Sequence, residues 1–313
     1  MNNRFDKAND LYCLIASLRL DARGLVVSVS PSVSVVIPFR NRARYIDETV
    51  RSVLAQTVKP LEIIIVNDAS EESARRHLDR WAKECRIIDL KKNVGPAAAR
   101  NEGIGRARGE FVAFLDDDDL WLSHKLETQL NYMREHPDCA VVCGMVWTIC
   151  PDGTDSLSTD LPPLWTLPQA LSMGHFVVLS TCLVRTLVAR ALGFDSRLRA
   201  AEDIDFAIRC CAAGSRIESI AEPLARFRRQ GHERVTKRNW LLFWTDVKLC
   251  WKHKALFYRV FGIRGIISFL LERLHFATRD TRLLDGRVRF LMRVLKVKYE
   301  IREAYADALR HAV

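Results

Sequence analysis

The chain has no apolar, uncharged run of the roughly 20 residues that a bilayer-spanning helix needs. The closest stretch, Phe257 to Leu274, is interrupted by Arg259, Arg264 and Glu272. The first residues, MNNRFDKANDLYCLIASLRLDARG, lack the clean apolar core and cleavage site of a secretory leader, because Ser17, Arg19 and Asp21 break the apolar part. Cysteine is present but has no pattern. The nine residues form no CxxC pair, and none joins a histidine at zinc spacing. That excludes a disulfide framework and predicts reduced thiols used as small core residues in a reducing, cytoplasmic compartment. Also missing are GxxxxGK[ST], GxSxG and HExxH. "GIGRARG" is GxGxxxG and precedes a strand pattern rather than following one, which excludes a dinucleotide loop. There is no internal repeat and no low-complexity segment.

What is present is an alternation of buried strands and helices. "VSVVIPF" (Val33 to Phe39), "LEIIIVND" (Leu61 to Asp68), "CRIIDL" (Cys85 to Leu90), "EFVAFLD" (Glu110 to Asp116) and "CAVVCGMVW" (Cys139 to Trp147) read as strands, most of them apolar on both faces. Between them lie helical patterns: one with Ile46, Val50, Val53 and Leu54, one with Leu78 and Trp81, an Ala-rich one at Gly95 to Gly109, and Leu122 to Met133. This is the signature of an α/β fold with a mostly parallel sheet flanked by helices. Right-handed crossovers place the strand C-termini on one edge, where ligands bind. Further on, Pro151 to Pro168 reads as a loop or lid, His175 to Arg185 as a strand, "EDIDFAIRCCAAG" (Glu202 to Gly214) as a helix and "RIESI" as a strand. The chain after Lys237 reads as helical.

The edge so defined collects polar residues: Arg40 and Asn41, Asn67 and Asp68, and the four aspartates of "FLDDDDLW", Asp116 to Asp119. Adjacent carboxylates repel, and a hard divalent cation, Mg²⁺ or Mn²⁺, would remove the repulsion while leaving positions open for a diphosphate. In extended geometry Asp116 and Asp118 point one way and Asp117 and Asp119 the other. The plainer reading is a solvated turn in which Asp119 caps the next helix. Asp68 is placed to accept a hydrogen bond from a base N–H, or to close an Asx turn. Arg100 is placed to reach a diphosphate, or to form a surface salt bridge. Glu202 and Asp203 open a helix, where the macrodipole favours carboxylates whether or not they do chemistry.

In order, "VSVVIPFRN", "IIIVNDAS", "NVGPAAARNEGI", "FLDDDDLW" and "AEDIDFAIR" resemble the successive motifs of family 2 glycosyltransferases with the GT-A fold. The resemblance runs from about Val33 to Thr236, two thirds of the chain. It implies a nucleotide-sugar donor, most often a UDP-sugar, with Mn²⁺ or Mg²⁺, and transfer with inversion to an acceptor hydroxyl. It implies that Pro38, Phe39, Arg40 and Asn41 line the nucleoside pocket, that Asp68 contacts the base, and that Arg100 and Asp117 help hold the nucleotide. Asp116 and Asp118 would be the D-x-D pair on ribose and metal, and Asp203 the catalytic base with Glu202 beside it. Two departures stand out. Many members carry an aromatic residue where this chain has Arg40. Where many have "YRxH", this chain reads "FRRQGHERVT", with Gln230 at the histidine position and His232 two residues later. The donor alternatives are dTDP- and GDP-sugars. The functional alternative is a non-catalytic nucleotide-sugar sensor, which would have no need of the Glu202–Asp203 pair.

Charge divides the chain. Residues 237–313 hold 17 Lys+Arg against 7 Asp+Glu and so carry the whole net charge of +10. The expected organisation is a leader over 1–30, helical or disordered, a catalytic domain over 31–236, and a basic helical extension over 237–313. In the extension Trp240, Phe243, Trp244, Trp251, Phe257, Tyr258 and Phe261 alternate with basic residues. Two readings follow. The extension lies on an anionic membrane at the inner face and serves a glycan or lipid-linked acceptor, or its aromatics pack on the catalytic body. A nucleic-acid partner is not expected, because no recognised motif accompanies the basic residues.

Overall fold

The computed structural model describes residues 31–149, 155–158, 161–172, 178–198, 200–228 and 239–278. The leader at 1–30, the loop holding Gln230 and His232, and everything after 278 lie outside the described residues.

β1 (Val33–Phe39) is buried at all seven positions. It pairs in parallel with β2 (Glu62–Asn67) and β4 (Phe111–Phe114), and β2 pairs in parallel with β3 (Arg86–Asp89). Its residues alternate between two cores, as strand period requires. Val33, Val35, Ile37 and Phe39 face Ile46, Val50 and Val53 of α1 (Ala43–Leu54). Val36 faces Ala99 and Ile104 of α3 (Pro96–Arg106), which follows the short α2 (Glu72–His77). Gly103 lets α3 approach closely: a Cβ there would lie 2.3 Å from a Val36 methyl.

Beyond β4 the sheet changes sense. Its order is β3-β2-β1-β4-β8-β6-β9-β5, with β7 off β6. β8 (Leu183–Arg185) runs antiparallel between β4 and the long β6 (Cys139–Ile149), and β9 (Arg216–Arg228) runs parallel to β6. β5 (Leu120–Trp121) closes the far edge, antiparallel to β9. In a flat sheet β4 and β5 would stand four strand spacings apart, about 19 Å. The link between them is only residues 115–119 and contains a turn in which the Asp119 N–H donates to the Asp116 carbonyl at 3.1 Å. The sheet therefore curls and brings its far edge back beside its middle.

Several sequence expectations are corrected here. Residues 155–158 form β7, which hairpins onto β6, so this part of the expected loop is strand. Trp165 is buried, and its indole N–H donates to Ser219 Oγ at 2.9 Å. α5 (Leu167–Ser172) then starts one residue before Pro168, which is tolerated in a first turn because the missing N–H has no helical partner there. Of the strand expected over 175–185, the described residues 178–185 form strand only at Leu183–Arg185, after a 3₁₀ turn at Leu179–Thr181. The helix expected from Leu122 begins at Lys125, as α4 (Lys125–Glu135), with β5 just before it.

α6 (Thr186–Leu192) and α7 (Glu202–Ala212) complete the α/β body. α8 (Asn239–Lys252) and α9 (Lys254–Thr278) pack on it through a third core. Leu249, Cys250, Phe257 and Phe269 bury against Ala170 and Leu171 of α5 and Ile204 and Ile208 of α7. The fully buried Asp205 of α7 fastens this contact, meeting Lys252 at 2.5 Å, His253 at 2.8 Å and Arg209 at 2.8 Å. Over the described part of the extension, the inner aromatics thus pack on the body.

Candidate active site

The C-terminal ends of β1, β2 and β4 meet the N-terminus of α7. At the end of β1 the Arg40 N–H donates to Asp117 Oδ2 at 3.0 Å, while the Arg40 side chain is exposed. Asn41 adopts a left-handed φ of 55°. Its side-chain oxygen accepts the Glu71 N–H at 2.7 Å, tying the end of β1 to the start of α2. Pro38 is buried in the sheet and the Phe39 ring is 1% exposed in the core, so neither side chain faces an open pocket. At the end of β2, Asp68 is buried and accepts the Val94 and Gly95 N–H groups at 2.7 and 2.9 Å. It thereby braces the loop that leads through Gly95 (φ 85°) into Pro96 at the head of α3. The side chain that accepts from the backbone just past β2 is instead that of Asn67, whose Oδ1 accepts the Ser70 N–H three residues on at 3.1 Å.

The four aspartates do not alternate as extended residues would. The strand stops at Phe114, and the turn that follows divides the four carboxylates among three sets of partners, with Asp117 and Asp118 sharing one. Asp116 meets Arg100 at 2.6 Å. Asp117 accepts Arg42 at 2.8 Å, and Asp118 lies 3.1 Å from the same guanidinium nitrogen. Asp119 accepts Ser180 Oγ at 2.6 Å and the Arg228 N–H at 3.3 Å. Asp119 does not cap α4, which begins six residues later, after His124. Thr49, a buried hydroxyl on α1, holds the turn from beneath by donating to the Asp119 carbonyl at 2.9 Å.

Arg100 is the centre of the arrangement. Only 4% of it is exposed, and its two terminal nitrogens reach Asp116 at 2.6 Å and Glu202 at 2.7 Å. Phe194 flanks the guanidinium at 5.8 Å. Ala201 precedes Glu202 with a left-handed φ of 60°, unusual for a residue with a Cβ, and this aims Glu202 and Asp203 at the sheet edge. Asp203 Oδ1 accepts the Ile204 N–H at 2.8 Å.

These surroundings set the proton affinities. Desolvation, then the charge of Glu202, pushes the Asp203 carboxyl up to about 7, so it is not the ordinary, fully ionised acid the sequence suggests. Burial likewise pushes Asp117 up to about 7. The two donors on Asp117 are nonetheless placed as for a carboxylate. Burial works against the charge of Arg42, but Asp117 and Asp118 outweigh it and hold the guanidinium protonated. Burial pushes the Cys85 and Cys139 thiols up to about 12, so neither is a thiolate at neutral pH.

Asp116 and Asp118 offer two hard oxygen ligands on one turn. Among the described residues no group of three or more His, Cys, Asp and Glu side chains is arranged to hold a metal ion. Two carboxylates without a closed cage suit Mg²⁺ or Mn²⁺, which keep positions for phosphates and water. Arg42 already neutralises Asp118, so a cation there competes with its guanidinium. Arg42 is the site residue that sequence reasoning missed. The signal was its place one residue past Asn41 at the same strand end. Ser180 and Thr49 were not legible, because their roles depend on the fold of the turn.

A model of glycosyl transferase family 2 matches residues 34–216, more than half of the chain. The chain belongs to glycosyl transferase family 2. An uncharacterized glycosyltransferase of Methanocaldococcus jannaschii is 30% identical over 239 residues, covering 72% of this chain and 82% of that protein. A putative teichuronic acid biosynthesis glycosyltransferase of Bacillus subtilis, TuaG, is 42% identical over 127 residues, 40% of this chain and half of that protein. Among solved structures, Staphylococcus aureus TarS in complex with UDP-GlcNAc superposes with a TM-score of 0.58 at 18% identity, covering 88% of each chain. The likeness is one of fold, and this glycosyltransferase shares the GT-A architecture.

Proposed function

We propose that this glycosyltransferase moves a sugar from a nucleoside-diphosphate donor, a UDP-sugar first of all, to an acceptor hydroxyl with inversion, in bacterial surface-polysaccharide or glycolipid synthesis. The observation that carries the reading is the buried Arg100, which joins Asp116 on the donor side to Glu202 beside Asp203 on the acceptor side. The names of two relatives point the same way: TuaG is assigned to teichuronic acid biosynthesis, and TarS has been crystallised with UDP-GlcNAc.

Asp203 takes the proton of the acceptor hydroxyl as that oxygen attacks the anomeric carbon. The bond from that carbon to the diphosphate oxygen breaks, and its electron pair leaves with the diphosphate. A base with a proton affinity near neutrality is well matched to this work, typically about 10²–10⁴-fold in rate. Asp116 and Asp118 would hold Mg²⁺ or Mn²⁺, which supplies positive charge next to the leaving diphosphate. Arg100 keeps Asp116 and Glu202 apart and in place. Asp68 fixes the loop before α3 that borders the nucleoside, and the exposed Arg40 replaces the aromatic residue of other members.

The test is a thermal-shift panel of UDP, dTDP and GDP, each with and without Mn²⁺, on the wild type and Asp118→Ala. A ligand at about a hundred times its Kd adds roughly 2.7 kcal/mol to the folded state. The expected result is a Mn²⁺-dependent shift with UDP that Asp118→Ala abolishes. A larger shift with dTDP or GDP reassigns the donor. A UDP shift equal in Asp118→Ala, with and without Mn²⁺, removes Asp118 from the metal site. Donor binding with no transfer to any acceptor would instead mark a nucleotide-sugar sensor.

A further inference from the structure

The extension has two faces, and only one is accounted for. On the inner face Thr245, Asp246, Leu249, Cys250 and Phe257 are buried. On the outer face of α8, Trp240, Trp244, Lys248 and Trp251 recur at spacings of four, four and three, which is one helical stripe. The stripe continues onto α9 with Lys254, Tyr258, Arg259, Ile263, Arg264 and Ile267, past a bend at Gly262 (φ 62°). Trp251 is 73% exposed, Tyr258 65% and Trp244 55%. Large aromatic side chains left that open, side by side, mark a surface that meets a partner. Over 239–278 the only acids are Asp246, which is buried, and Glu272, which is half-buried; none is among the exposed residues.

We infer that this face docks on an anionic lipid surface, with the indoles and Tyr258 seated at headgroup level and the lysines and arginines against the lipid phosphates. Charge selects that occupant. The rest of the chain, 279–313, holds 9 Lys+Arg against 5 Asp+Glu, so it carries the same sign as the face. A second copy would present the same basic stripe and be repelled. Tryptophan and tyrosine favour the boundary between water and hydrocarbon, where the ring is apolar and its N–H or O–H stays wet. Ile263 and Ile267 have no ring to stack on a nucleobase, but they insert readily among acyl chains. Lys254, whose ammonium lies 4.7 Å over the Trp251 ring, shows how the two residue types share one patch. The inner side of α8 rests on Ile204 and Ile208 of the helix that begins with Glu202 and Asp203. A docked enzyme therefore holds its base one helix layer from the bilayer, within reach of an acceptor carried on a lipid.

The experiment is vesicle co-sedimentation of the full chain with phosphatidylcholine vesicles and with vesicles that also contain phosphatidylglycerol. It compares the wild type, Trp244→Ser/Trp251→Ser and Lys248→Glu/Lys254→Glu, at low and at high salt. The expected result is binding to the anionic vesicles alone, weakened by salt and reduced roughly tenfold or more in each variant. All four positions are exposed, so folding is retained, and an unchanged nucleotide-dependent thermal shift in the variants verifies it. That control also separates failure of this surface from failure of the donor assignment. No vesicle binding by the wild type, or equal binding by the variants, overturns the inference. So does a wild-type dimer that becomes monomeric in the Trp variant without any vesicle binding. Salt-sensitive binding to a single-stranded oligonucleotide in place of vesicles overturns it as well.

Discussion

Asp203 has the side chain of a weak acid in surroundings that make it weaker still. Desolvation and Glu202 raise it to about 7, so the carboxylate that the proposed mechanism needs forms as pH rises through neutrality. Transfer should therefore show an acid limb in kcat/KM near pH 7, and Asp203→Asn should lose about 10²-fold or more in kcat while still binding donor. Near-normal turnover in that variant would remove Asp203 as the base. The same shift acts on stability with the opposite sign. A carboxyl raised in the folded state contributes stability below its unfolded value near 4, and that contribution is lost as pH rises through about 7. Asp203→Asn should thus gain about 1–2 kcal/mol over the wild type at pH 8, with the solvent-facing edge of Asp203 limiting the gain, and the gap should close as pH falls toward 4. Thermal melts across that range measure it. Arg42 makes a second residue-scale prediction. Arg42→Met removes the cation that neutralises Asp117 and Asp118. Mn²⁺ should then bind the nucleotide-free protein more tightly, as titration calorimetry would report.

At the scale of elements, the strand ends are where chain and chemistry meet. Left-handed backbone occurs at Asn41, Ala69 and Ala201, each just past a strand or just before the site helix. Non-glycine residues held there mark places where surrounding contacts fix the backbone for a purpose. The close seat of α3 on β1 gives a direct test. Gly103→Ala places a methyl 2.3 Å from Val36, which should cost about 1–3 kcal/mol and loosen Arg100 three residues away. Denaturant melts and the KM for donor should worsen together. The strands were legible in sequence because β1, β2 and β4 are buried on both faces and show no other periodicity. The positions of the motif residues were legible where the local pattern decides them: Asp68 and Asp116 fall just past strands and Asp203 in the first turn of a helix. It was not legible where a turn replaced a strand. The period-two reading of Asp116 to Asp119 fails because the chain must fold back within five residues to reach β5. Residues 151–185 misled for a related reason: β7 and the turn at Leu179–Thr181 owe their form to pairing with β6 and to packing under Asp119, and neither partner is local.

At the scale of the whole molecule, Asp205 couples α7 to the extension. Burial opposes its charge, but His253, Lys252 and Arg209 more than offset this and hold its carboxyl down at about 2. A carboxyl lowered in the folded state stabilises above its unfolded value near 4, and the contribution is lost as pH falls toward 2. Asp205→Asn should therefore cost about 3 kcal/mol at neutral pH, and its melting point should converge on that of the wild type under acid. The loss should reach activity too, since α7 carries Asp203. The basic charge of the extension was plain in the sequence; that one face packs while the other stays open depends on which turn of α8 meets Ile204 and Ile208. The single buried guanidinium at the centre has a consequence for inhibitors. Because Arg100 grips one carboxylate from each half of the site, a nucleotide analogue that draws on Asp116 alters the hold on Glu202. Nucleotide and acceptor mimics should then fail to act as independent blockers, and the crossing point of multiple-inhibition plots made with both should give an interaction factor different from one.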